Sequence, residues 1–207
     1  MEIVSIIGPI GSGKSTFVEH LKAYNVFNYY YHEDVEGNTW LKAEPTPENQ
    51  IKCQEYIIEH KKNFYKQFAN QNLDDVIVLE DASFYQDLFY VYLNIYQKHD
   101  EEFNRLVEEY IDLIKKIYHR ADKHKVIFID LDPNQNVINV QNRGRDFEQS
   151  LNYDFFKNQK EVLYEILNRF KGDFELIIYK PDPSMFEDNG ISLEEKYHQV
   201  YKDLGII

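Results

Sequence analysis

A short apolar run at residues 3–7 passes without a break into Gly8-Pro9-Ile10-Gly11-Ser12-Gly13-Lys14-Ser15-Thr16. This is the spacing G-x-x-x-x-G-K-[ST], and it constrains the fold more than any other feature of the chain. A strand has to end where a helix begins, with a glycine-bearing loop between them. The glycines let the backbone turn so that successive N–H groups aim at phosphate oxygens, and the following helix presents its positive N-terminal end to the same anion. In such a loop Lys14 reaches the β- and γ-phosphates, Ser15 holds Mg²⁺ through its hydroxyl, and Thr16 continues the helix. Residues Gly8 to Thr16 are therefore the candidate site for a nucleotide phosphate.

A chain of 207 residues suits one domain, residues 1–207, with a core large enough to need no covalent staple. Cys53 stands alone, so no internal disulfide forms, and the chain carries neither an apolar leader nor a run of membrane-spanning length. These features predict a cytoplasmic protein with no membrane partner. The net charge of −13 repels nucleic-acid backbones and predicts no nucleic-acid partner, whereas a small anion requires only a local cluster of cations.

Apolar runs at residues 3–7, 26–31, 76–79, 126–131 and 176–179 are separated by longer segments of helical periodicity. Helices are predicted over 14–24, 47–71, 83–98, 101–123, 133–143, 153–170 and 193–204. Alternation of this kind predicts an α/β fold, a five-stranded parallel sheet with helices on both faces. Segment 83–98 is apolar nearly all round, so it is buried on several sides or covered by a second subunit. Segment 180–190 reads as a surface loop from its Pro, Asp and Gly content.

Acids stand where the strands end, at the edge where open α/β sheets bind ligands. His32-Glu33-Asp34 follows the second strand, and Glu33 is the candidate general base. Glu80-Asp81 closes the third, where an acid that orders Mg²⁺ is expected. After the fourth strand and its helix comes Arg143-Gly144-Arg145, which suits a lid over about 142–152 that neutralises charge on transferring phosphates. Arginine is otherwise confined to Arg105, Arg120 and Arg169, which makes the pair stand out.

Together, the Gly8 to Thr16 loop, Glu33, the acid-to-serine segment ending at Ser83 and the Arg143-Gly144-Arg145 lid resemble the deoxynucleoside kinases, over nearly the whole chain. The resemblance implies a P-loop kinase that uses ATP with Mg²⁺ to phosphorylate the 5′-hydroxyl of a deoxynucleoside, and a homodimer paired through helices 83–98 and 101–123. Glu33-Asp34-Val35 is similar to the Glu-Pro-Val segment that supplies the family's base. Trp40 resembles the aromatic that flanks the nucleobase, and Gln54, with Tyr56 two residues on, resembles the residue that reads its edge. Glu148 resembles the acid that binds the sugar 3′-hydroxyl. Lys61 and Asp87 match a basic and acidic pair found in members that prefer deoxycytidine or purine deoxynucleosides over thymidine.

Where the family carries Glu-Arg-Ser, this chain departs. Aligned without a gap, Asp81 replaces Glu and Ala82 replaces Arg; with one insertion Glu80 matches Glu and Asp81 replaces Arg. Either way the cation is missing, at an expected cost of roughly 10²–10³ in rate unless another side chain supplies it. A tyrosine expected between Trp40 and Tyr56 is also lacking. Two alternatives follow: a nucleoside monophosphate kinase, which would need further arginines at the acceptor, and a nucleotide-binding protein that has lost catalysis.

Overall fold

In the computed structural model, which describes residues 1–68, 71–95, 99–145, 148–182 and 190–207, five parallel strands lie in the order β2-β3-β1-β4-β5. They are β1 (Glu2–Ile7), β2 (Tyr29–Tyr31), β3 (Ile77–Asp81), β4 (Lys123–Ile129) and β5 (Glu175–Tyr179). β1 is central, and Ile3, Val4, Ile6 and Ile7 are all buried, as a parallel strand covered on both faces requires. The helices are α1 (Lys14–Lys22), α2 (Pro47–Lys66), α3 (Phe84–Asn94), α4 (Asp100–Ile117), α5 (Pro133–Arg143), α6 (Tyr153–Arg169) and α7 (Leu193–Asp203). One core gathers α2, α3, α4 and α6 on one face of the sheet. A smaller one gathers α1 and α7 on the other, with Tyr201 donating to the Phe17 carbonyl.

β1 pairs on one side with β3 and on the other with β4, and the chain leaves β1 toward β2 but passes from β3 across to β4. A crevice therefore opens outside the carboxyl ends of β1 and β3. Local chemistry fixes the helices around it. Thr46 caps α2, Ser83 caps α3, Asp132 caps α5 and Asn152 caps α6, each side chain accepting a backbone N–H of the first turn. α5 stops at Gly144, whose φ of 71° is the left-handed conformation that ends helices.

Several boundaries differ from expectation. The second strand is only Tyr29–Tyr31, because Asn25 turns the chain at φ 52° and Asn28 ties itself to Ile77 by side chain and backbone. The helix expected over 101–123 ends at Ile117, a single 3₁₀ turn follows at Tyr118–Arg120, and Lys123 already belongs to β4. Of the helix expected over 47–71, residues 69 and 70 lie outside the described residues, as do 96–98 of the helix expected over 83–98 and 183–189 of the loop at 180–190.

The apolar character of α3 is largely accounted for by packing within one chain. Phe84, Tyr85, Leu88, Phe89 and Val91 are buried there, and α2, α4 and α6 pack around the helix. Tyr90, Tyr92 and Leu93 are only partly buried, so most of the apolar excess, though not all of it, is taken up by packing within the chain.

Candidate active site

Asp81 lies opposite Ile6 in the pairing of β3 with β1, two residues before Gly8, so the pleat brings its side chain beside the glycine loop. Ser15 Oγ donates to Asp81 Oδ2 at 3.2 Å, and His32 Nδ1 lies 3.2 Å from the same oxygen. Burial by itself would raise the Asp81 carboxyl, but the His32 hydrogen bond, Lys14 and Ser15 hold it below the ordinary carboxylate value. His32 is pushed up in turn, chiefly by that hydrogen bond.

Glu80 points the other way, as alternation along a strand demands. It is fully buried and accepts from the hydroxyls of Ser5, Tyr65 (2.6 Å) and Tyr118 (2.8 Å). Ser5 also meets His124 Nε2 at 2.9 Å, and burial lowers the His124 imidazole to about 3, so this ring stays neutral in the core. The expectation that Glu80 helps hold a metal is thus corrected: its carboxylate belongs to a structural network behind the sheet, and of the two acids only Asp81 faces the loop.

Lys14 Nζ donates to the carbonyls of Gly8 (2.9 Å) and Pro9 (3.1 Å), folding back over the loop it follows. Burial lowers its ammonium pKa, and Asp81 and Glu33 oppose that effect. The loop is gripped from behind by four amide side chains that sequence reasoning missed. Gln86 Oε1 accepts from Gly8 N–H (3.0 Å) and Gln159 Oε1 from Ile10 N–H (3.2 Å). Asn136 donates to the Ile10 carbonyl (2.9 Å) and Asn139 to that of Gly11 (2.8 Å). Gly11 is required here: its φ is +74°, and a Cβ would come within 2.8 Å of Val140 Cγ2 and 3.0 Å of the Asn136 carbonyl. Asn136, Asn139 and Arg143 recur at helical spacing on α5, so the docking that grips the loop also aims Arg143 at it.

Arg143 pairs with Glu148, and Arg145 Nη1 lies 3.5 Å from Glu148 Oε1. Asp146 and Phe147, within the expected lid, lie outside the described residues. Arg143 and Glu148 both act electrostatically on Lys14, so the lid pair and the loop share one site.

Glu33 follows β2. Burial raises its carboxyl above the ordinary value, against the pull of Lys61 and Lys14. Asp34 stands where the resembling family has proline, and it restrains the segment by other means. Its carboxylate accepts from Tyr56 OH (2.6 Å) and Gly37 N–H (2.8 Å), contacts that also hold its pKa down. Gln54 is buried, with Tyr110 OH donating to Oε1 at 2.9 Å, which leaves Nε2 as the donor end of the amide. Lys61 and Asp87 form a buried ion pair. Trp40 is not brought to this group. It sits on the 3₁₀ turn Thr39–Lys42, 37% exposed, with the Lys52 ammonium 4.8 Å over its ring.

Among the described residues, no three His, Cys, Asp or Glu side chains converge into a metal cage, and no helix is long and apolar enough to cross a membrane. One hydroxyl and one ionised carboxylate, Ser15 and Asp81, are the protein ligands suited to a Mg²⁺ carried mainly by phosphates and water.

A glycine loop between β1 and α1, a carboxylate at the end of β3, a carboxylate following β2 and an arginine pair at the end of α5 define a P-loop phosphotransferase. The deoxynucleoside kinase family model matches residues 4–202, and the chain belongs to that family. It is an enzyme that phosphorylates a deoxynucleoside. Among solved structures, deoxyadenosine kinase from M. mycoides shares the fold at 18% identity. Its form with products dCMP and a flexible dCDP gives a TM-score of 0.69, with 100% of each chain covered. The forms with dCTP and dATP give 0.68 and 0.67, covering 100% and 99% of this chain and 100% of the other. No curated protein matches.

Proposed function

We propose that the enzyme transfers the γ-phosphate of ATP to the 5′-hydroxyl of a purine deoxynucleoside or deoxycytidine. The observation that carries this reading is the convergence of Lys14, Ser15 and Asp81 on the glycine loop at the carboxyl ends of β1 and β3, with Glu33 following the carboxyl end of β2 beside them. Glu33 takes the 5′-hydroxyl proton and the freed oxygen attacks in line. Lys14, Arg143 and Arg145 carry the charge spread over the transferring group, and the N–H groups of the Gly8 to Thr16 loop cradle the remaining phosphates. Mg²⁺ at Ser15 and Asp81 supplies charge neutralisation at the β- and γ-phosphates when bound. Glu148, held between the two arginines, is the partner for the sugar 3′-hydroxyl.

Gln54 reads the base edge, with the Lys61–Asp87 pair at the pocket wall. A fixed pair crowding the thymine methyl supports discrimination of roughly 1–3 kcal/mol against thymidine. A monophosphate acceptor fits less well, because a second dianion needs cations of its own. Arg143 and Arg145 are already engaged with Glu148, and Arg105 pairs with Glu55 on the exposed surface. Cytoplasmic residence accords with the lone Cys53. A homodimer now rests on the family resemblance, and sedimentation velocity decides it.

Radiolabelled ATP offered with four deoxynucleosides and their monophosphates tests the whole reading. Labelled 5′-monophosphates are expected, with kcat/KM for deoxyadenosine, deoxyguanosine or deoxycytidine at least tenfold above thymidine. Labelled diphosphates, or thymidine as the best acceptor, overturn it.

A further inference from the structure

The chain lacks an arginine at Ala82, yet a cation stands there. Lys61 reaches across from α2 and donates Nζ to the Ala82 carbonyl at 3.2 Å, while its remaining charge is balanced by Asp87. Lys61 is completely buried, and Asp87 almost so. The ammonium lies 4.7 Å over the Phe84 ring and 5.0 Å over the Tyr31 ring, so aromatic faces hold it on two sides. Tyr31 is the last residue of β2, two before Glu33. The ammonium is thus fixed between the turn that follows β3 and the strand that delivers Glu33.

Ala82 is itself unusual. It is a buried non-glycine residue at φ 71°, a conformation that costs an L-residue energy and persists only when its surroundings hold it. Its N–H donates to the Ile6 carbonyl at 3.1 Å and its own carbonyl accepts from Lys61, so both backbone groups are satisfied by long-range partners. The strained turn aims the Ala82 carbonyl at Lys61, and the absence of a long side chain at 82 leaves the position to a lysine from another helix.

We infer that Lys61 is a positioning residue of the reacting end of the pocket, where its fixed ammonium, bound to the Ala82 carbonyl and packed on the ring two residues before Glu33, stands in for the arginine absent at Ala82. This inference rests on the reading of Glu33 as the base and goes beyond the base-edge role of the Lys61–Asp87 pair. Around Glu33 the charged and titratable groups are Lys61 and Cys53 from α2, Lys14 from α1, Tyr31 and His32 from its own strand end, Asp81 from β3, Asp87 and Tyr90 from α3 and Tyr110 from α4. Of the cations among them, Lys61 acts most strongly. Lysine at 61 and alanine at 82 are one solution to a single steric problem, in which the short side chain at 82 makes room and the ammonium takes the place.

The two roles separate in kinetics. A group that only reads the base alters KM and the ranking of bases; one that serves the reacting end lowers kcat alike for every base. Lys61→Met combined with Asp87→Asn removes both charges without stranding either. The expected result, in the full-length enzyme with saturating Mg·ATP, is a fall in kcat of about 100-fold for all deoxynucleosides it accepts, with KM changed less than fivefold. Lys61→Arg keeps the charge and is expected to retain kcat within about fivefold. Ala82→Arg in the otherwise native chain, folded by its thermal melt, gains nothing, because the cation is already present. A kcat within threefold of wild type in the neutral variant, or a tenfold gain from Ala82→Arg, overturns the inference. If the neutral variant does not fold, Lys61→Arg and Ala82→Arg decide: loss of kcat in the first or gain in the second overturns it. Glu33→Gln measured beside them keeps the failures apart, since retained kcat there removes the base and not the lysine.

Discussion

Lys14→Ala lowers kcat at least about 100-fold, the loss expected when a charge-stabilising donor is taken from a transfer site. The structure makes this a clean experiment. Among the described residues, Lys14 Nζ hydrogen-bonds only to loop carbonyls, those of Gly8 and Pro9. The loop is held instead by Gln86, Gln159, Asn136 and Asn139, all of which remain. Arg143 and Arg145 already carry their own share of the transferring charge, and Lys61 is committed to Asp87 and Ala82, so none of these cations takes the place of Lys14. Burial lowers the Lys14 ammonium pKa while Asp81 and Glu33 oppose that effect, so removing it also leaves two neighbouring carboxylates in closer repulsion. Steady-state turnover with a saturating deoxynucleoside measures the effect. Retention of more than about a tenth of wild-type kcat contradicts transfer assisted by Lys14.

The loop and the sheet were legible because their signals are local. An apolar run closed by Gly-x-x-x-x-Gly-Lys-Ser is a strand, a turn and a helix start within a dozen residues, and the acids at strand ends follow from the same periodicity. What remained illegible depends on register or on distance. Glu80 and Asp81 are adjacent, so which faces the loop is decided by a pleat parity that the apolar run at 76–79 does not mark. The strand extends two residues beyond that run, to Asp81. The amide clamps join residues 78 to 149 positions apart, and Asn or Gln carries no patterning that announces such a bond. Only the helical spacing of Asn136, Asn139 and Arg143 could have pointed to them. Lys61 and Asp87 were paired by resemblance, but that the ammonium also rests on Ala82 follows from a left-handed turn without glycine, which sequence patterning does not mark. The apolar girdle of α3 was legible as burial and illegible as to what covers it.

Glu33→Gln keeps KM for the deoxynucleoside within a few-fold and lowers kcat by roughly 10²–10⁴, the range ordinarily supplied by a positioned general base. The amide preserves shape and most hydrogen bonds but accepts no proton. Glutamine also suits the site sterically, because Asp34, tied to Tyr56 and Gly37, fixes the chain on the far side of residue 33 independently of its side chain. The pH profile gives a second reading. Burial raises the Glu33 carboxyl above the ordinary glutamate value of 4.5, against the pull of Lys61 and Lys14. The base works only when ionised, so kcat/KM in wild type falls as pH drops through the Glu33 value, which lies above 4.5. In Glu33→Gln that limb disappears along with most of the rate. His32 also titrates, raised above 6.5 chiefly by its hydrogen bond to Asp81, and a limb due to it persists in the variant. Measuring kcat/KM from acid to neutral pH in both proteins separates the groups. A Glu33→Gln enzyme whose loss lies only in KM, or whose acid limb is unchanged, shows that Glu33 binds the acceptor without taking its proton.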